Sequence, residues 1–137
     1  MSAVDSLLND VHSQLNSTRV ARVERPTTLA ELQAIVVSAH EKQQPISIAG
    51  GRHAMGGQQF AENSVHIDTT QMGRVLASDA ERGLLTIEAG AMWPAIIAAT
   101  HAMPNEGRPM WAIRQKQTGV DAVTLGGSIA ANAHGRG

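Results

Sequence analysis

The sequence contains no cysteine, which excludes a disulfide framework, a thiolate metal site and a thiol nucleophile. Aromatic residues are scarce, with one phenylalanine, two tryptophans and no tyrosine, so methionine and aliphatic side chains must fill the core. A basic excess is also missing: the formal net charge is −1, which argues against a nucleic-acid partner, since such domains carry cations to neutralise phosphates. No apolar run approaches the roughly 18 residues needed to span a bilayer. The first fifteen residues carry acids instead of the basic flank of a signal peptide, so a cytoplasmic protein with no membrane partner is the expectation. His12, His40, His66, His101 and His134 are too scattered for a metal signature, and no metal is expected.

What is present is enough for one domain: 137 residues, 42% of them hydrophobic, with thirteen glycines. Val4, Leu7, Leu8, Val11 and Leu15 fall at helical spacing behind Ser2 and Asp5, and predict an N-terminal helix over residues 1–24 with its lead-in. A short β-rich run, Arg19 to Glu24, precedes Pro26-Thr27-Thr28, where Thr28 caps a helix and Glu31 returns the bond. Leu32, Ile35, Val36 and Ala39 form its expected buried stripe. Pro45 to Ala49 alternates as a strand, completing a β-α-β unit whose strands are parallel if they share a sheet. Strands are further expected at Ser64 to Asp68 and, as a hairpin, at Val75 to Ser78 and Leu84 to Glu88. A helix starts between Gly90 and Pro94 and turns Ile96, Ile97 and Thr100 inward. This order predicts an α+β fold.

Two glycine-rich segments are the candidates for chemistry. Ala49-Gly50-Gly51-Arg52-His53-Ala54-Met55-Gly56-Gly57-Gln58 directly follows a strand, and bare backbone there lets successive N–H groups converge on phosphate oxygens. The alternative is a long turn that merely needs glycine. The segment is neither a Walker A loop nor a Gly-x-Gly-x-x-Gly dinucleotide fingerprint. Gln117 to Gly135 is rich in Gly and Ala towards its end, a composition that lets a flat ligand lie against main chain. Thr118, Thr124, Ser128 and Asn132 would supply directional hydrogen bonds. The alternative there is a small-residue helix packed on a neighbour. Residues 108–137 carry Arg108, Arg114, Lys116 and Arg136 against Asp121 alone, a bias that suits an anionic ligand.

Taken in order, Arg25-Pro26-Thr27-Thr28, Ile48-Ala49-Gly50-Gly51-Arg52-His53-Ala54, Ile67-Asp68-Thr69-Thr70-Gln71-Met72, Thr86-Ile87-Glu88-Ala89-Gly90-Ala91-Met92-Trp93 and Thr124-Leu125-Gly126-Gly127 resemble the N-terminal part of the PCMH-type FAD-binding domain. This is the domain of the vanillyl-alcohol oxidase and p-cresol methylhydroxylase family, sugar-lactone oxidases included. The resemblance runs from about Arg25 to the end and places an incomplete FAD-binding domain at 25–137. It implies FAD as cofactor, with the pyrophosphate along Ala49, Gly50, Gly51, Arg52, His53 and Ala54, and Gln58 as a further contact. The isoalloxazine is implied near Gln117, Thr118, Gly119, Asp121, Thr124, Gly126, Gly127, Ser128, Asn132 and His134. In many relatives the histidine at the place of His53 bonds covalently to the flavin 8α carbon; in others it only hydrogen-bonds the cofactor. This loop reads Gly-Gly-Arg-His-Ala where many members have Gly-Gly-Gly-His-Ser, exchanging a serine hydroxyl for an arginine charge.

The implied function is the cofactor-binding portion of an oxidoreductase acting on CH–OH groups, with the substrate pocket outside the chain. The alternatives are a non-catalytic FAD-binding module and one component of a split enzyme. Association with a partner chain or with itself is expected, because the absent part would cover sheet edges and apolar surface. No catalytic base is identifiable.

Overall fold

The computed structural model describes residues 6–107 and 109–135. It is an α+β chain in two compact units, one ending at Gln71 and the other starting at Met72. In the first unit, β1 (Leu7–Leu8) pairs antiparallel with β2 (Thr18–Arg19). A second sheet joins β3 (Arg22–Glu24), β4 (Ile46–Ala49) and β5 (Val65–Asp68) in the order β3-β5-β4, all parallel. Helix α1 (Leu29–Glu41) connects β3 to β4. The expected capping box is present, with Thr28 Oγ1 accepting from the Glu31 amide and Glu31 accepting from the Thr28 amide.

The central strand β5 buries Val65, His66 and Ile67. The alternation of β4 runs opposite to hydrophobicity: Ser47 and Ala49 are buried, whereas Ile46 and Ile48 are exposed. The serine is buried because it serves a polar chain. Ser64 Oγ donates to the Ala61 carbonyl at 2.7 Å and so accepts from Ser47 Oγ at 2.7 Å, which in turn accepts from His66 Nδ1 at 2.9 Å. This order places a proton on His66 Nδ1, and burial holds its pKa below the ordinary histidine value.

In the second unit, β6 (Val75–Asp79) and β7 (Leu84–Ile87) form the expected antiparallel hairpin. Helix α2 (Trp93–His101) starts with Pro94 in its first turn, where the missing N–H costs nothing. A short helix α3 (Leu125–Ala130) follows, capped by Thr124. Ala91, Trp93 and Ile96 form the core, with Ile87, Ile113, Val123 and Leu125 against it.

Two expectations fail. No helix forms at Leu7 to Leu15, where the chain pairs as a strand and then bends; Leu15 is 86% exposed. The cause is Asp10. Its Oδ1 accepts from the amides of His12, Ser13 and Gln14 at 3.0, 2.6 and 3.3 Å, and such local bonds displace helical ones. Val4, Ser2 and Asp5 lie outside the described residues. In α1 only Ala39 of the expected stripe is fully buried, Leu32 and Ile35 are half-buried, and Val36 is exposed alongside Leu29 and Val37.

Candidate functional site

The loop after β4 is built by capturing its carbonyls with side chains and neighbouring backbone. Thr69 Oγ1 donates to the Ala49 carbonyl at 3.1 Å, Val11 N–H to Arg52 at 3.1 Å, Gln59 Nε2 to Ala54 at 2.9 Å, and Asn16 Nδ2 to Met55 at 2.6 Å. Among the described residues, no acceptor receives the backbone N–H of Gly51, Arg52 or Ala54. This half-buried turn therefore presents amide donors without partners, while its Arg52 and Ala54 carbonyls are taken up. Neither Gly50 nor Gly51 lies in the left-handed region; Arg52 does, at φ 57°. The left-handed turn therefore sits on a non-glycine residue, which carries the strain. Arg52 also brings a cationic side chain to this loop. Gly57 is required twice over: its φ is 72°, and a Cβ there would stand 2.8 Å from Asn16 Oδ1.

Residues 9–16 buttress this loop, a role the sequence reading missed. Asp10 is 2% exposed; besides the three amides, its Oδ2 accepts from Ser13 Oγ and Asn16 Nδ2, each at 2.8 Å. Burial opposes the charge, but the hydrogen bonds of Asn16, Ser13 and Gln14 outweigh it and hold the carboxyl well below its usual range. The same segment carries His12, whose Nε2 lies 2.8 Å from His53 Nδ1. Turn-forming residues at Asn9, Asp10, Ser13 and Asn16 were the available signal.

Gln58 is exposed; a Cβ on Gly56 would approach its Oε1 to 2.7 Å. The adjacent Gln59 is the one engaged with the loop, and its Oε1 is buried without a partner. That orphaned acceptor calls for a donor such as a hydroxyl or a water.

In the second segment the polar groups are largely committed inside the unit. Thr124 is buried and its Oγ1 accepts from Gly127 N–H at 3.2 Å. Ser128 is buried and accepts from Trp93 Nε1 at 3.0 Å. Asp121 pairs with Lys116 at 2.5 Å. Gly126 and Leu125 N–H donate to the carbonyls of Ala89 and Ala91, both at 2.8 Å, and a Cβ on Gly126 would meet Ala89 Cβ at 3.0 Å. The small-residue helix packed on a neighbour is thus present. Gln117 Nε2 donates to Val120 O at 3.3 Å, while its Oε1 is buried and unpartnered. Thr118, Gly119, Asn132 and His134 are exposed. Arg136 and Arg108 lie outside the described residues.

Glu88 and Asp68 have structural roles. Glu88 is gripped bidentately by Arg74, with contacts of 2.7 to 3.2 Å, and Asp68 Oδ1 accepts from Thr70 N and Oγ1 at 3.0 and 2.6 Å. Among the described residues there is no cluster of metal ligands, and no helix is long and apolar enough to cross a membrane.

Comparison with known proteins agrees with this architecture. The chain is 27% identical over 136 residues to the mitochondrial L-galactono-1,4-lactone dehydrogenase of Brassica oleracea, covering 96% of the chain and 21% of the relative. It is 28% identical over 119 residues to L-gulono-1,4-lactone dehydrogenase of Mycobacterium tuberculosis, covering 84% and 25%. The chain thus spans between a fifth and a quarter of the length of these relatives. Among solved structures, cholesterol oxidase from B. sterolicum superposes with a TM-score of 0.69 at 20% identity, over 95% of the chain and 24% of the oxidase. An alkyldihydroxyacetonephosphate synthase does so with 0.70 at 23%, over 84% and 20%. The family model described as "FAD binding domain" matches residues 20–137, and the chain belongs to that family, with FAD as its cofactor.

Proposed function

We propose that the chain is the cofactor-gripping part of a flavin-dependent oxidoreductase that oxidises a CH–OH carbon, with the diphosphate of FAD held by the main chain of residues 50–54. The observation that carries this reading is the set of amide donors at Gly51, Arg52 and Ala54, on a loop whose Arg52 and Ala54 carbonyls are already taken up within the chain. Bound FAD supplies the two-electron acceptor; the chain binds and orients it. Gln59 Oε1 is proposed as an acceptor for a cofactor hydroxyl. In the second unit, Gln117, Thr118, Gly119 and Asn132 are the proposed contacts; Thr124, Gly126, Gly127 and Ser128 shape the backbone behind them. His53 is the proposed point of covalent attachment. The lactone dehydrogenases among the relatives support a sugar lactone or related alcohol as the substrate class of the whole protein.

Reconstitution tests the reading. Chain mixed with FAD and desalted should remain yellow, with flavin fluorescence retained on denaturing gels through His53 and lost in His53→Ala, which keeps reversible binding. A colourless chain with no affinity for FAD would replace the proposal with a non-catalytic module.

A further inference from the structure

His12 lies outside the family match, which begins at residue 20, yet its side chain is bonded to the imidazole of His53. Its Nε2 is 2.8 Å from His53 Nδ1, and the two rings lie 4.9 Å apart at 50°. The contact is held from both ends. Asp10 fixes the backbone of His12 by accepting from its amide at 3.0 Å, and the preceding residue, Val11, donates to the carbonyl of Arg52, which precedes His53, at 3.1 Å. Asn16 ties the far end of the segment to Met55 at 2.6 Å. A pair clamped by backbone on both sides is a built juxtaposition.

A hydrogen bond between two neutral imidazoles needs one N–H and one lone pair, so each ring dictates the tautomer of the other. We infer that His12 is a positioning residue that accepts the Nδ1 proton of His53, and so fixes the tautomer and removes the proton that His53 must lose on joining the flavin. This rests on His53 being the attachment point. In the overall step the 8-methyl group of FAD gives up one C–H, His53 gives up one N–H, and a C–N bond forms. The two electrons and two protons reduce dioxygen to hydrogen peroxide, leaving the linked flavin oxidised. His53 brings the proton on the nitrogen facing His12, and His12 is exposed, so it can pass that proton to water.

The test uses the whole chain with 15N-labelled histidine, read first without FAD at a pH where both rings are neutral. The ring-nitrogen shifts should identify His53 as the Nδ1–H tautomer in the wild type and in His12→Gln, whose Oε1 can accept the same proton. His12→Phe should lose that preference while the Val11 amide stays protected. Linkage is then followed in air by the mass of FAD retained on denatured chain. His12→Gln should link at close to the wild-type rate and His12→Phe at least about tenfold more slowly. A His53 that accepts at Nδ1 in the wild type, or a His12→Phe chain that links at the wild-type rate, overturns the inference. Should the wild type bind FAD without forming the bond, the attachment role of His53 fails, and the tautomer alone decides whether His12 sets it.

Discussion

The two glycine-rich segments look alike in sequence and are used in opposite ways. Around residues 50–60, side chains from Asn16, Gln59 and Thr69 and the amide of Val11 take up the carbonyls of Met55, Ala54, Ala49 and Arg52, leaving the amides of Gly51, Arg52 and Ala54 as donors. Around residues 124–128, glycine allows close approach: hydroxyls cap and pack, and the first amides of α3 bond to Ala89 and Ala91. The difference teaches that glycine content alone does not mark a binding segment. What marks it is where the hydrogen bonds of the segment go.

The sharpest way to break this contrast is in the second unit. Trp93→Ala removes the centre of its core and leaves Ser128 without its donor, so denaturant melts should show a loss of about 3–5 kcal/mol. Gly126→Ala forces a methyl against Ala89 and should cost about 1–3 kcal/mol. If instead Gly126→Ala left stability untouched and lowered FAD affinity, the segment would be a ligand surface and the contrast would be wrong.

In the first unit, Asp10→Ala should release the whole 9–16 buttress, exposing the Val11 and Asn16 contacts to hydrogen exchange and weakening FAD binding. The charge of Asp10 stabilises the fold in full above the ordinary carboxylate pKa of about 3.9, and that support is lost progressively as pH falls from there through its depressed folded value. His66 acts earlier. Because its folded pKa is lowered by burial, the unfolded chain binds the proton first, and stability should decline as pH drops below about 6.5. His66→Gln should flatten that part of the pH profile in thermal melts.

Arg52→Gly is the smallest effect and the most discriminating. Relief of the left-handed backbone at φ 57° should raise stability by about 0.5–1 kcal/mol. Loss of the cation should weaken binding of ADP, which carries the same diphosphate, by about two- to fivefold. A stability gain with no change in affinity would remove Arg52 from the site.

Much of this was legible in the sequence. The β-α-β unit, the Thr28–Glu31 capping box, the hairpin and the Pro94 helix start carry local signals that tertiary packing does not override. The 9–16 segment was misread because Leu7, Leu8, Val11 and Leu15 imitate a helical stripe, while the Asp10 carboxylate accepts five hydrogen bonds from the six residues that follow it, which no periodicity reports. The inverted phase of β4 was hidden for a similar reason: a serine wins the interior only when a buried histidine needs it. The pairing of His12 with His53 spans 41 residues and leaves no mark on either local sequence.

The central claim is that main-chain amides of residues 50–54 hold the diphosphate. Amide shifts of the 15N-labelled chain, followed during titration with FAD, ADP and adenosine, test it directly. The account requires Gly51, Arg52 and Ala54 to shift most with FAD and ADP and to stay still with adenosine. Shifts confined to residues 117–134, or equal responses to ADP and adenosine, would contradict it.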